Sequence, residues 1–476
     1  MNKLRKLENI DVIFISARDH VEQRDNHGLY EMFKFFEDNL SVKSVYTTTE
    51  HSMFKNSKYN VFDISSAGGE NPAAPSDAPV KYIPLALQIN EKLQSKELEE
   101  RYKFGPYLWD RIYSKEDYYK RAAEAFIEIF PPHKFIAIAD KSEVNLNILN
   151  IIMEHFGSKL IILSAVNDTW TGYCSYPNFY NCDKYKTDSG CDSECPAIKQ
   201  NSEKHDINVR ENYLLTKRFI DKNKDSLYLN VGNSYCLEQA SQSSLFKDVN
   251  KFMIPLKNVT EPDTFDILWD MKTKAKTQLI QNMNSNSPNV SIPNKSMLVM
   301  WSAMNLSDPR KGLYYFLNSI QILKNLTKNN FLSDFVFIFA GNPDGKSKFL
   351  LEELNIKYVA ESMQRDIYMS MLSSSDVYCN TSVEEAGPRT TYEAAAVGTP
   401  VISFDRCNAV DFVNSENGAL IDTFDAKTMA EKIYDIYMLN EETKKQKSRS
   451  IYETYKSLMD TQELTDRWEK FFAEAV

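Results

Sequence analysis

The sequence predicts an α/β protein with two domains, each built on a parallel sheet. Short apolar runs rich in β-branched residues alternate with helical stretches almost throughout, which is typical of parallel sheets covered by helices. The chain has 476 residues, more than one ordinary core holds, so its length predicts two or three domains. A hydrophobic content of 42% and an aromatic content of 12% are those of a globular protein.

The elements can be placed from these runs. Predicted strands of the first half span 11–16, 43–48, 60–64, 134–139, 159–164 and 226–231. Predicted strands of the second half span 297–301, 335–340, 356–359, 376–380, 401–404 and 419–421. Residues 282–295 are rich in Asn, Ser and Pro without periodicity and are predicted to be a linker between domains 1–281 and 296–459.

Charge and hydropathy exclude several classes of function. A formal net charge of −10 and a pI near 5.4 argue against nucleic-acid binding as the main role. No apolar run approaches the roughly 20 residues needed to span a bilayer, and the N-terminus does not resemble a signal peptide. A cytoplasmic protein is therefore expected.

The segment Glu384 to Asp405, EEAGPRTTYEAAAVGTPVISFD, places the carboxylates of Glu385 and Glu393 around a loop-to-helix junction. A helix is predicted over 390–397, with Pro388 near its start, Glu393 in its first turn and Gly398 after its end. Helix starts offer unpaired N–H groups to phosphates, and carboxylates accept hydrogen bonds from hydroxyls. The segment therefore predicts a ligand with phosphate and polyol groups, such as a sugar nucleotide.

Two cations, Arg310 and Lys311, follow strand 297–301 and precede Gly312 and a predicted helix. Ligands of open α/β sheets bind beyond the carboxyl ends of the strands, where this pair is expected. Cations are unfavourable at a helix N-terminus unless an anion is present, so the pair predicts a diphosphate site. The alternative is a solvated basic pair.

The segment EAGPRTTYEAAAVGTPVISFD resembles the signature of family 4 glycosyltransferases, in which seven residues separate two Glu. DPRKG is similar to that family's Lys-Gly segment, and AGNPDGKS and SSSDVYCNTSVEEAG are similar to its intervening loops. Residues 167–196 are similar to a cysteine-bearing segment of members that build bacterial exopolysaccharides. Residues 1–133 match the family only in their alternation of predicted strands and helices. The resemblance implies the GT-B fold, in which two Rossmann-like domains face a central cleft and a C-terminal helix, here 460–476, packs back on the first.

The resemblance also implies roles for individual residues. Glu385 would contact hydroxyls of the donor sugar, Glu393 the ribose, and Arg310 and Lys311 the diphosphate. The remaining residues expected at the donor are Ala386, Gly387, Arg389, Thr390 and Asn167. The implied enzyme is a retaining, hexosyltransferase-type glycosyltransferase that uses a UDP- or GDP-sugar. Its acceptor would be a glycan, a glycolipid or a glycoprotein, with contact at the inner face of the membrane if the acceptor is lipid-linked.

Two features bear on the chemistry. The chain has no Asp-x-Asp pair, which fits a metal-independent enzyme whose own cations neutralise the leaving group. Family members often carry a His-Asp pair where this chain has Asn167 and Asp168, and Asn cannot act as a base. Asp168 is predicted to touch the sugar or the acceptor, or else to cap the following turn. The alternatives are a GT-B phosphorylase, an epimerase, or an inactive protein that binds nucleotide sugars.

Four of the seven cysteines cluster between Cys174 and Cys195. Cys174, Cys182, Cys191 and Cys195 would make a closed structural zinc site if all four bind as thiolates. Their spacing lacks the paired two-residue form, so free thiols or a disulfide remain alternatives.

Overall fold

The computed structural model describes residues 11–16, 28–42, 44–48, 82–84, 135–140, 146–163, 177–199, 209–256, 264–286, 292–327, 334–354, 356, 358–361 and 363–475. The chain divides into two compact units. The first unit contains residues up to 232, residues 236–258 and residues from 461 onward. The second contains residues 233–235 and 259–460.

The first unit is built on a sheet of seven strands in the order β3-β2-β1-β4-β5-β6-β7, and all neighbouring strands pair in parallel. The strands are β1 (Val12–Ser16), β2 (Ser44–Thr48), β3 (Tyr82–Pro84), β4 (Ile136–Asp140), β5 (Lys159–Leu163), β6 (Leu227–Val231) and β7 (Asn250–Met253). The described helices that precede or follow them are α1 (Gly28–Asn39), α2 (Leu146–Phe156), α3 (Pro196–Lys199), α4 (Val209–Asn223) and α5 (Ser234–Gln242).

The second unit has a six-stranded parallel sheet in the order β10-β9-β8-β11-β12-β13. The strands are β8 (Met297–Asn305), β9 (Phe335–Asn342), β10 (Tyr358–Glu361), β11 (Val377–Asn380), β12 (Val401–Phe404) and β13 (Gly418–Ile421). The helices of this unit are α6 (Phe265–Asn286), α7 (Leu313–Thr327), α8 (Gly345–Glu353), α9 (Arg365–Ser374), α10 (Arg389–Ala396), α11 (Ala426–Met438) and α12 (Glu441–Leu458).

These two parallel sheets confirm the predicted α/β class. The core of the second unit is the apolar layer between sheet and helices, in which Trp301, Phe316 and Phe339 pack together. Strands β8, β9, β11 and β12 are apolar along nearly their whole length because helices cover both faces. The predicted strand 60–64 lies outside the described residues.

The last helix, α13 (Thr461–Ala475), belongs to the first unit. Trp468 is buried, and its ring centroid lies 4.9 Å from that of Phe36 and 5.6 Å from that of Phe252. The ring centroid of Phe472 lies 5.6 Å from that of Phe36. The Arg467 guanidinium donates a hydrogen bond to the carbonyl of Met253. This helix therefore supplies large aromatic side chains to the core around α1 and β7.

The division between the units differs from the predicted linker at 282–295. Helix α6 runs to Asn286 and is part of the second unit, where it packs on α9 and α12. The ring centroid of Phe265 lies 5.8 Å from that of Tyr452 on α12. Polar residues dominate the last turns of α6 because that end is mostly exposed, and their composition alone resembles a linker.

Helix α6 also buries a charged residue, Lys272, which is only 5% exposed. Its Nζ donates to the carbonyl of Ser375 at 2.6 Å and lies 3.2 Å from Oγ1 of Thr399. Burial lowers the pKa of Lys272 to about 7; the Asp376 carboxylate opposes this shift, and the Lys276 ammonium adds to it. The neutral amine can keep both hydrogen bonds.

Lys272 is expected to make the second unit more stable as the pH rises from about 7 to about 10. Over this window the unfolded chain binds a proton at Lys272 and the folded chain does not, so raising the pH favours the folded state. Denaturation midpoints of the wild type and Lys272→Met should therefore diverge with pH, whereas Lys274→Met, an exposed neighbour on α6, should follow the wild type. Parallel curves for wild type and Lys272→Met would contradict the expectation.

None of the helices among the described residues is long and apolar enough to cross a membrane.

Candidate active site

Two loops meet at the carboxyl edge of the second sheet, one after β8 and one after β11. Thr381, just past β11, places its Oγ1 2.9 Å from the carbonyl of Lys311 and accepts a hydrogen bond from Nε1 of Trp301 at 2.8 Å. The Val383 amide donates to the carbonyl of Arg310 at 2.8 Å. These bonds fix the backbone of the two predicted cations against the carboxylate-bearing loop.

Gly312 makes this approach possible. Its φ is 74°, in the left-handed region, and a Cβ atom at this position would lie 2.1 Å from the carbonyl oxygen of Thr381. Any larger residue would push the two loops apart. The glycine also ends the short 3₁₀ turn Pro309–Lys311, from which the two cations project.

Arg310, Lys311 and Glu385 form one cluster. The Lys311 ammonium contacts Oε1 of Glu385 directly, and Nη1 of Arg310 lies 3.2 Å from the same oxygen. The Ser382 hydroxyl lies 3.4 Å from it, and Nε of Arg310 also pairs with Asp308 at 3.0 Å. Glu385 is only 8% exposed, so two cations largely shielded from water converge on one carboxylate oxygen.

Glu393 is the fifth residue of α10, because the helix begins at Arg389 and Pro388 is its N-cap. The prediction that Glu393 lies in the first turn is therefore wrong: the helix starts one residue earlier than predicted and its first turn carries no acidic residue. Gly398 has a φ of 65° and follows the helix, as the sequence predicted. Glu393 thus projects one turn deeper than a carboxylate at the helix start would.

Glu393 is 2% exposed and is paired with arginine. The guanidinium of Arg365, the first residue of α9, contacts its Oε1 directly, and Nε of Arg389 lies 3.8 Å from the same oxygen. The side chain of Arg365 is 47% exposed, so this pair connects the buried carboxylate to the surface. The hydroxyl of Tyr368 also interacts with Glu393.

Tyr378 on β11 is close enough to Glu385 and Glu393 to be affected by the charges of both. It is buried, and its hydroxyl is 2.9 Å from the Ser302 hydroxyl. Burial raises the pKa of Tyr378; the hydrogen bond to Ser302 opposes the shift, and the charges of Glu385 and Glu393 add to it. The phenol therefore stays protonated and can only donate or accept hydrogen bonds at neutral pH.

The structure places the remaining predicted residues as follows. Ala386 and Gly387 are half-buried and follow Glu385 in the loop, and the Thr390 side chain hydrogen-bonds Tyr378. Asn167 and Asp168 lie outside the described residues. The structure therefore brings together the cations, both glutamates and the loop between them.

Three of the four clustered cysteines, Cys182, Cys191 and Cys195, line one small cavity in the first unit together with Tyr185. Cys174 lies outside the described residues. Within the part of the chain that is described, no three potential ligands are grouped closely enough to hold a metal ion.

Zinc at these cysteines stays a prediction. Elemental analysis of the purified protein is expected to find about one zinc ion per chain, because a structural site binds one ion through four ligands. Cys182→Ser should lower that content, whereas Cys236→Ser, at a buried cysteine outside the cluster, should not. A metal-free protein that unfolds at the same temperature with and without chelator would exclude the site.

Residues 299–454 match the family model described as Glycosyl transferases group 1. Solved structures resemble the whole chain. The Candida albicans trehalose-6-phosphate phosphatase N-terminal domain matches with a TM-score of 0.61 at 11% identity, covering 99% of this chain and 98% of that one. A trehalose-6-phosphate protein from E. coli bound with UDP-2-fluoro glucose matches with a TM-score of 0.60 at 9% identity, covering 97% and 98%. A glycosyltransferase from Rickettsia africae matches with a TM-score of 0.57 at 12% identity, covering 98% and 99%.

Residues 299–454 are thus similar to group 1 glycosyltransferases, and the whole chain has the GT-B fold. The matched segment spans most of the second unit and includes Arg310, Lys311, Glu385 and Glu393. The predicted fold and the predicted family resemblance are confirmed. No curated protein matches the sequence significantly.

Several residues of the matched segment were not predicted at the site. Arg365 binds Glu393, and Cys407 and Asn408 hydrogen-bond the loop that carries Glu385 and Pro388. A basic residue soon after a strand was the only available signal for Arg365. Sequence offers no comparable signal for Cys407, because an isolated cysteine usually indicates a core position.

Proposed function

We propose that this protein is a retaining glycosyltransferase that moves a sugar, of hexosyl type, from a UDP- or GDP-sugar to a glycan, lipid-linked or protein-linked acceptor. The observation that carries the proposal is the convergence of Arg310 and Lys311 on Glu385 at the carboxyl edge of the second sheet. Further support comes from the E. coli neighbour, whose structure is described as bound with UDP-2-fluoro glucose.

The cluster suits the departure of a nucleoside diphosphate. Sugar transfer builds negative charge on the leaving phosphate, and preorganised cations stabilise that charge best where water is scarce. Glu385 pairs with both cations, and Asp308 also pairs with Arg310. We infer that the bound diphosphate takes over Arg310 and Lys311, so that Glu385 becomes free to accept hydrogen bonds from the sugar hydroxyls. These protein cations would serve without a catalytic metal ion.

Glu393 is proposed to hold the ribose. A buried carboxylate already fixed by an arginine can accept hydrogen bonds from two vicinal hydroxyls without rearrangement. Ala386, Gly387, Arg389 and Thr390 would line the donor between the sugar and the ribose. Asn167 and Asp168 are proposed to face the sugar or the acceptor, and retention would require the acceptor to attack on the face from which the diphosphate leaves.

A thermal-shift screen against nucleotides and nucleotide sugars tests the proposal. A ligand at 100 times its dissociation constant stabilises the folded state by about 2.7 kcal/mol, which corresponds to a shift of several degrees. The diphosphate of one base should raise the midpoint, its monophosphate should raise it less, and the nucleoside should not. The absence of any nucleotide-dependent shift, combined with phosphate-dependent breakdown of an oligosaccharide, would instead favour a phosphorylase.

A further inference from the structure

The turn after β12 holds the loop that carries Glu385. Three successive residues of this turn each hydrogen-bond that loop. Nη1 of Arg406 donates to the carbonyl of Val383 at 3.3 Å, and the Glu385 amide donates to Sγ of Cys407 at 3.2 Å. Nδ2 of Asn408 donates to the carbonyl of Pro388 at 3.1 Å. The loop is thus held at its start, at the carboxylate residue itself and at its end.

Asn408 uses both ends of its amide. In addition to the bond from Nδ2, its Oδ1 accepts a hydrogen bond from the Thr391 hydroxyl at 2.9 Å. Asn408 is fully buried, so both bonds form away from water, where an unmade bond is costly. Since Thr391 lies in the first turn of α10, one side chain connects the end of the loop to the helix that carries Glu393.

Cys407 has an unfavourable backbone conformation. Its φ is 59°, in the left-handed region that costs a residue with a Cβ about 1 kcal/mol or more and costs glycine little. The residue is fully buried, and its sulfur accepts the Glu385 amide. Glycine would relieve the backbone but would leave that amide without this acceptor. Strain of this kind is concentrated at functional sites.

Arg406 is itself fixed from the other side. Its Nε donates to Oγ1 of Thr423 at 2.6 Å, and that hydroxyl donates to Asp405 at 3.1 Å. The guanidinium therefore connects the residues after β13 to the loop after β11. The turn after β12 therefore holds both the residues that follow β13 and the loop that carries Glu385.

We propose that Cys407 and Asn408 are positioning residues, which set where the Glu385 carboxylate stands relative to Glu393 and to the transferred sugar. The inference rests on the proposed function, since it assigns Glu385 to the sugar. The diphosphate would be held by Arg310 and Lys311, whose backbone is bonded by Val383 and Thr381, whereas Cys407 and Asn408 bond Glu385 and Pro388. Disturbing the turn should therefore slow transfer more than it weakens nucleotide binding.

Three substitutions of Cys407 separate positioning from stability. Cys407→Gly should be more stable than Cys407→Ala, because the backbone strain is relieved, yet transfer should fall in kcat by about tenfold, since a displacement on the order of 1 Å is enough to disturb a reacting geometry. Cys407→Ala should lower both stability and kcat. Cys407→Ser restores an acceptor for the Glu385 amide and should recover most of the rate. The dissociation constant of the nucleoside diphosphate should change less than threefold in all three variants, about 0.6 kcal/mol or less.

Cys236→Ala is the matched control, because Cys236 is also fully buried and lies on α5. It should lower stability without changing kcat. A Cys407→Gly protein with wild-type kcat would overturn the inference. A kcat of Cys407→Ser no higher than that of Cys407→Gly would also overturn it. If the wild type neither binds a nucleoside diphosphate nor transfers sugar, the proposed function itself fails, which is a different result from a normal wild type with unaffected variants.

Discussion

Replacing Lys311 with Ala is expected to lower the rate of sugar transfer by about 100- to 1,000-fold, the usual effect of removing one preorganised charge-stabilising group. The Lys311 ammonium is mostly shielded from water and lies beside the carboxylate proposed to face the sugar. Its loss should raise the barrier to departure of the diphosphate. Initial rates of nucleoside diphosphate release, measured with the donor identified by thermal shift, provide the measurement.

The protein should remain folded, because the Lys311 backbone still contacts Thr381 and Arg310 still neutralises Glu385. Lys311→Arg keeps the charge and should retain more of the rate than Lys311→Ala. Lys427→Ala, which removes an exposed lysine of α11, should behave like the wild type. A Lys311→Ala enzyme within threefold of the wild-type rate would show that the cation does not act on the leaving group.

Glu385→Gln is expected to have opposite effects on binding and on transfer. Transfer should fall by about 100-fold, since the proposed hydrogen bonds from the sugar hydroxyls lose their charged acceptor. Binding of the nucleoside diphosphate should strengthen by about three- to tenfold, or about 0.6–1.4 kcal/mol, because the glutamine no longer competes with phosphate for Arg310 and Lys311. Calorimetric titration of the nucleoside diphosphate and initial rates give the two quantities.

The gain in binding should shrink with added salt, because it arises from charge. Glu431→Gln, at a half-exposed position of α11 paired with Lys427, is the matched control and should change neither quantity. Weaker binding of the nucleoside diphosphate to Glu385→Gln would mean that the carboxylate supports the nucleotide site instead of competing with it.

The sequence predicted most strands because parallel strands covered on both faces are continuous apolar runs. Strand β7 was not predicted because it is a sheet edge whose four residues are exposed or only half-buried, so it has no such run. Strand β3 has only three residues, too few to form a recognisable apolar run. Strand β8 extends past the predicted Trp301 to Asn305, where its last two residues are exposed.

The site was predictable where its chemistry lies in one segment. Glu385 and the helix that carries Glu393 follow from a Gly-Pro junction, and Arg310 and Lys311 from their place after a strand. Arg365 and Asn408 were not predictable, because their roles depend on side chains that meet only when the strands assemble in the order β10-β9-β8-β11-β12. Local patterns specify elements, whereas these contacts depend on the order of strands in the sheet.

The position of α13 in the chain affects how the protein can be made. Trp468 and Phe472 belong to the core of the first unit, yet a ribosome synthesises them after the whole of the second unit. Until they emerge, Phe36 and Phe252 lack the aromatic partners that α13 supplies. The first unit is thus begun early in translation and completed late, so a nascent chain exposes to chaperones the side chains that α13 will cover until its last residues are made.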